Sequence, residues 1–535
     1  MTAPDILFRG PTVVDGTGSP GYRADVLVSA GRVAALDPAG ELARRGPGRV
    51  VDADGLVLAP GFIDMHSHSD LRLLAEPDHL AKVSQGVTLE VLGQDGLSYA
   101  PVDDRTIEVL REQLSGWNGD PPGFDWNWRD VGCYLGRLDK GIAVNAAYLV
   151  PHGTVRMLVM GLDDRPATAA ELERMREVTA AGLREGAVGL SAGLTYTPGM
   201  YADMAELEAL CEVVAAHDGY FSPHHRSYGA GALEAYREMV ELSLRTGCPL
   251  HLAHATMNFP ENAGKAGDLL ALLDDAIARG ADITLDSYPY LAGATYLSAL
   301  LPSWAAAGGV AETLVRLSDV DTRERVRVDL EVRGSDGCHG VPVDWTTIEI
   351  NAVRLAANRH LVGRTVAESA AAAGVAPFDL FADTLLAERL GTSCLMHVGH
   401  EDNVRAIMRH PAHTGGSDGL LVGDRPHPRA WGTFPRYLGH YVREAGVLGL
   451  EECVAHLTGR AARRLRLSDR GLVRVGHAAD LVLFDPVSVA DTATYPEPRQ
   501  RATGIAHVLV NGVPVLEGGE PTGALPGHSI RRTGA

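Results

Sequence analysis

The chain has 535 residues, of which 45% are hydrophobic and 22% charged. That is too long for one ordinary domain and suits a large domain with an accessory one, while the composition excludes disorder as the default state. A net charge of −20 argues against nucleic acid and against anionic membrane surfaces as partners.

No window approaches a transmembrane span, and the start, "MTAPDILFRG", lacks the basic-then-apolar pattern of a signal peptide. The cysteines, Cys133, Cys211, Cys248, Cys338, Cys394 and Cys453, are scattered without a CxxC pair. Neither a disulfide framework nor a thiolate zinc cluster is indicated, and the expected setting is cytoplasmic.

Residues 1–60 read as short strands joined by Gly and Asp turns ("ILFRGPTVVDG", "ADVLVSAGRVAALD", "RVVDADGLVLAP"). Residues 466–535 mirror them with "ADLVLFD" and "HVLVNGVPVLEGG", so both termini are expected to build one small β-sandwich. Between them, over 61–465, apolar strands alternate with amphipathic helices such as "TAAELERMREVTAAGLREG" and "GALEAYREMVELSLRTG". That alternation predicts an α/β fold with a parallel sheet and outer helices, most simply a (β/α)8 TIM-like barrel. Residues about 293–375 break the rhythm with "LPSWAAAGG" and the charged "DVDTRERVRVDLE", and read as an insertion near the barrel mouth. No internal repeat or low-complexity segment is present.

Barrel active sites sit at the C-terminal ends of the strands. "GFIDMHSHSD" ends an apolar run in His66 and His68. Side chains at i and i+2 of a strand share a face, so two imidazoles would project together. "GVTLEVLGQDG" ends at Asp95, "GYFSPHHR" at His224 and His225, "CPLHLAH" at His254, and "PAHTGGSDG" at Asp418. A lone strand-end Asp is a turn former or a cap, and a lone His is an ordinary hydrogen-bonding group. Five strand ends carrying these groups together point to a metal-dependent hydrolase. A divalent metal held by imidazoles and a carboxylate acidifies water and polarises a carbonyl, and Asp418 is the candidate proton shuttle.

The segments "PGFIDMHSHSD", "GAVGLSAGLTYTPGMYA", "SPHHR", "CPLHLAH", "DSYPYLAGAT", "GGSDG", "HPRAWGTFPRYLGHYVRE", "GLVRVGHAADLVLFDP" and "VLVNGVPVLEGGEPTGALPG" resemble the D-aminoacylases. These are N-acyl-D-amino-acid deacylases of the amidohydrolase superfamily, and the resemblance runs nearly end to end. It implies a barrel with a β-sandwich, zinc (one or two ions, or another divalent metal), and hydrolysis of N-acyl-D-amino acids. By position it implies His66, His68, Asp95, His224, His254 and Asp418 as metal ligands, with Asp418 catalytic and Arg429 ("HPR") and Tyr288 ("DSYPY") holding the substrate carboxylate. His225 becomes a spacer. Two positions depart from the family pattern: Asp95 stands where the family usually has cysteine, and Thr256 where it often has lysine. None of the three lysines, Lys82, Lys140 and Lys265, lies at a strand end suited to a carboxylated metal bridge.

Three other readings compete. "GLSAG", 189–193, fits the G-x-S-x-G of a serine hydrolase, but "LTYTPGMYAD" follows it as a loop instead of the helix such a nucleophile needs. A non-catalytic binding protein on the same barrel would be expected to have lost several ligands. The metal chemistry could also serve a cyclic amide, a dipeptide or a lactone, a reading that Thr256 keeps open.

Overall fold

A computed structural model describes residues 5–42 and 48–532. Its centre is a sheet of eight parallel strands in sequential order: Phe62–Asp64, Val87–Leu92, Asn145–Pro151, Gly189–Gly193, Tyr220–His224, Leu250–Leu252, Ile283–Ser287 and His413–Gly415. Just past the first and last strands the sheet curls onto itself. The Met65 amide donates to the Gly415 carbonyl (3.1 Å) and the Asp418 amide to the His66 carbonyl (2.8 Å). Strands two and three are buried at every residue, as expected where helices cover the outside and side chains fill the inside.

The two helices read from the sequence form at Ala169–Arg184 and Ala232–Thr246. Thr168 and Glu171 make a reciprocal capping box at the start of the first, satisfying two amides that the helix cannot. Gly247 ends the second at φ +67°, a left-handed conformation that glycine adopts without steric cost.

Two further sheets come from the chain ends. One has four strands, Ile6–Arg9, Asp25–Ser29, Arg32–Asp37 and Arg49–Asp52. The other joins both termini, because Val57–Pro60 pairs antiparallel with Leu481–Phe484. Ile6, Phe8 and Val26 of the first sheet share an apolar cluster with Leu58, Leu481 and Leu509 of the second.

Between the seventh and eighth barrel strands the chain makes a long excursion. It contains a four-stranded sheet of Ala292–Tyr296, Ser393–His397, Ile348–Ala352 and Arg364–Thr365. Leu300, Leu317, Ile350, Phe381 and Cys394 belong to a core of its own.

Candidate metal centre and substrate pocket

The barrel topology brings the candidate residues to one place. His66 and His68 follow the first strand, Asp95 the second, His224 ends the fifth, His254 follows the sixth, Tyr288 the seventh and Asp418 the eighth. The first strand stops at Asp64, so His66 and His68 stand on the turn beyond it and not on the strand itself. Their rings nevertheless lie 5.3 Å apart, centroid to centroid.

Asp95 is the hub. Its carboxylate faces His66 Nε2 at 3.5 Å, His68 Nε2 at 3.5 Å, His224 Nδ1 at 3.4 Å and His254 Nε2 at 3.4 Å. Asp418 Oδ1 is 3.1 Å from His68 Nε2 and 3.8 Å from His66 Nε2. Two donors each about 2.0–2.1 Å from one zinc ion in a tetrahedron lie about 3.3–3.4 Å apart, so the spacing suits ligands around a shared cation. His66 Nε2 and Asp95 Oδ1 are buried with no hydrogen-bond partner, and such groups are costly unless something else satisfies them. The residues fit a divalent metal, with His66, His68, Asp95 and Asp418 forming one compact group and Asp95, His224 and His254 a second.

The backbone carries part of the arrangement. Asp95, His254 and Asp418 have φ of +53°, +32° and +48°. Such conformations are costly for non-glycine residues and concentrate where function over-determines them. The Asp95 loop is anchored by Ser191, whose Oγ donates to the Gly93 carbonyl and accepts from the Gly96 amide (3.0 Å). Ser191 is therefore a buried strut inside the fourth barrel strand, with no histidine against its hydroxyl among its described partners. At Gly193 an added Cβ would lie 2.1 Å from the Asp95 carbonyl, so only glycine lets the strand pass this close.

Electrostatics follow from burial and neighbours. Burial raises the Asp95 pKa, but His254, His66 and His224 outweigh it and hold the group well below the usual carboxylate range. Asp418 behaves alike: burial raises it, while Arg429 and His68 pull it below the ordinary value. Arg429 Nη2 lies 2.9 Å from Asp418 Oδ2, and its guanidinium sits 4.4 Å over the Tyr288 ring. Arg429 is fully buried, behind Tyr288 and Asp418, with Nε and Nη1 unpartnered.

Some contributors escape sequence reasoning. Asp286 accepts from His251 Nε2 (3.0 Å) and from the His254 amide (2.9 Å), and lies 3.5 Å from His66 Nδ1. It thereby orients two candidate ligands, as groups behind metal-binding histidines do. Tyr228 Oη is 3.0 Å from His254 Nδ1, and Thr195 Oγ1 is 2.7 Å from His224 Nε2. Asp286 stood inside "DSYPY", whereas Tyr228 and Thr195 lie in loops with no spacing signal. His225 points away from the cluster and stacks on Tyr228, centroids 4.1 Å apart. Lys82 is buried below the site, 2.5 Å from Asp64 and 2.7 Å from Ser417 Oγ.

Residues 49–516 match the model of the amidohydrolase family. The chain belongs to that family. Within it, this amidohydrolase is 35% identical to a D-aminoacylase of Alcaligenes xylosoxydans xylosoxydans over 99% of its own length and 98% of the relative's. It is also 35% identical to an N-acyl-D-glutamate deacylase of the same organism, over 99% and 96%. Among solved structures, an N-acyl-D-glutamate deacylase from Bordetella bronchiseptica, in complex with zinc and a phosphonate mimic of the tetrahedral intermediate, aligns with TM-score 0.84. Its identity is 33%, covering 99% of this amidohydrolase and 100% of that chain.

Proposed function

We propose that this amidohydrolase is a zinc-dependent N-acyl-D-amino-acid deacylase, hydrolysing the amide bond to a carboxylate and a D-amino acid. The observation that carries the reading is the convergence of four histidines on the Asp95 carboxylate, beside Asp418 and the Arg429–Tyr288 pair. The near full-length relationship to deacylases of N-acyl-D-amino acids supports it.

His66, His68, Asp95, His224, His254 and Asp418 would hold one or two zinc ions. When bound, such a cation acidifies water and polarises an amide carbonyl. Asp418 takes the proton of the attacking water and returns it to the leaving nitrogen. Its ion pair with Arg429 fixes the carboxylate in place and keeps it ionised, ready to accept. Tyr288, on the pocket wall, and the buried charge of Arg429 behind it mark the end that receives the substrate carboxylate. Asp286 and Tyr228 hold His66 and His254 in orientation.

The shared apolar cluster supports reading the two terminal sheets as one β-sandwich, 1–60 with 466–535, beside a catalytic barrel of 61–465. Cysteine usage supports a cytoplasmic setting. The test is a panel of N-acetyl-D- and N-acetyl-L-amino acids, a cyclic amide and a lactone given to zinc-loaded protein, with the hydrolysis product of each as the readout. The D forms should be cleaved and the L forms not. Cleavage of a cyclic amide or a lactone with no D substrate turned over would refute the substrate assignment.

A further inference from the structure

The deacylases similar to this chain differ in the side chain their names specify, and sequence identity does not choose between them. The pocket does. Apart from the His/Asp cluster, its wall includes the aromatic and aliphatic side chains of Trp117, Tyr196, Phe259, Met396, Val398 and Leu420. Among the described residues no lysine or arginine lines it. The polar members of the wall are neutral and partly committed to one another. Thr256 Oγ1 donates to Asn258 Oδ1 (2.7 Å), and Thr295 Oγ1 lies 3.1 Å from Tyr196 Oη. His339, brought in by the excursion, is buried against Tyr228 and Phe259, ring centroids 5.6 and 5.5 Å away, and that burial favours its uncharged form.

Cations are therefore scarce on the wall. Arg429, behind it, already faces Asp418. It can match the one carboxylate that every N-acyl-amino acid carries. The two carboxylates of the cluster, Asp95 and Asp418, already face its histidines. A second substrate carboxylate would lose its water against aromatic and aliphatic groups with no lysine or arginine on the wall to receive it, and an unmatched buried charge is strongly disfavoured.

Resting on the deacylase reading, we infer that this pocket selects N-acyl-D-amino acids with a neutral, apolar or aromatic side chain and rejects those of D-glutamate and D-aspartate. Thr256 contributes by placing a neutral hydroxyl on the wall that the substrate faces.

The experiment measures kcat/KM of the zinc-loaded protein for N-acetyl-D-leucine, N-acetyl-D-phenylalanine, N-acetyl-D-glutamate and the γ-methyl ester of the last. The neutral side chains should exceed D-glutamate by about 100-fold or more, the size of discrimination expected when a buried polar group is left unpaired. The ester, which removes the charge and adds only a methyl group that an apolar wall accepts, should recover at least about tenfold over the free acid. A D-glutamate substrate as good as D-leucine, or an ester no better than the acid, overturns the selectivity while leaving the deacylase reading intact. Cleavage of none of the four overturns both.

Discussion

Asp418 is held from two sides, by His68 at 3.1 Å and Arg429 at 2.9 Å. A carboxylate so held is ionised throughout the neutral range and cannot rotate away from the reacting atoms. Asp418→Asn keeps the shape and removes the proton acceptor, so kcat should fall by about two or more orders of magnitude. Zinc content, measured on the same preparations, should drop less than in His224→Ala. Near-normal turnover in Asp418→Asn would assign the proton transfer elsewhere. At this scale the six candidate ligands were legible because each sits where an apolar run ends in His or Asp. Asp286, Tyr228 and Thr195 were not, because a group that orients a ligand needs only proximity in space. Tyr228 reaches His254 from a different strand end, and no spacing in the chain records that contact. Arg429 was read as a partner of the substrate carboxylate, and its contact with Asp418 adds a role that only the packing reveals.

The fourth barrel strand shows how an element settles a motif. Gly189–Gly193 fits a nucleophile pattern, but it is a buried parallel strand whose serine ties down the loop bearing Asp95. Ser191→Ala should cost about 1–3 kcal/mol of stability for the lost hydrogen bonds, read as a shift in the denaturant midpoint. It should leave kcat within about tenfold, whereas loss of a true nucleophile costs about a millionfold. The excursion shows the opposite case. The sequence reading ends it near residue 375, yet Pro377–Glu388 and Ser393–His397 also pack into it through Phe381 and Cys394. A helix followed by an apolar strand has the same pattern in a barrel unit as in an insertion, and only tertiary packing separates them.

Across the whole molecule, the barrel supplies ligands, the excursion supplies pocket wall through Thr295, His339 and Met396, and the terminal sheets grip the barrel from outside. Asp480 makes that last joint. Its carbonyl accepts from the Gly61 amide (2.8 Å) and its carboxylate from the Asn511 amide (2.6 Å) and Asn145 Nδ2 (3.3 Å). Alternation of strands and helices made the barrel legible, since period and length both repeat along the chain. The pocket wall was not, because it is assembled from distant loops.

The cluster around Asp95 is where the metal that turnover depends on would bind. The direct measurement is a zinc titration of protein stripped by chelator and verified metal-free, following bound zinc and hydrolysis of N-acetyl-D-leucine together. Turnover should be absent without metal and rise in step with occupancy of the first site. Full turnover by the metal-free protein would show that hydrolysis does not depend on a metal at this cluster.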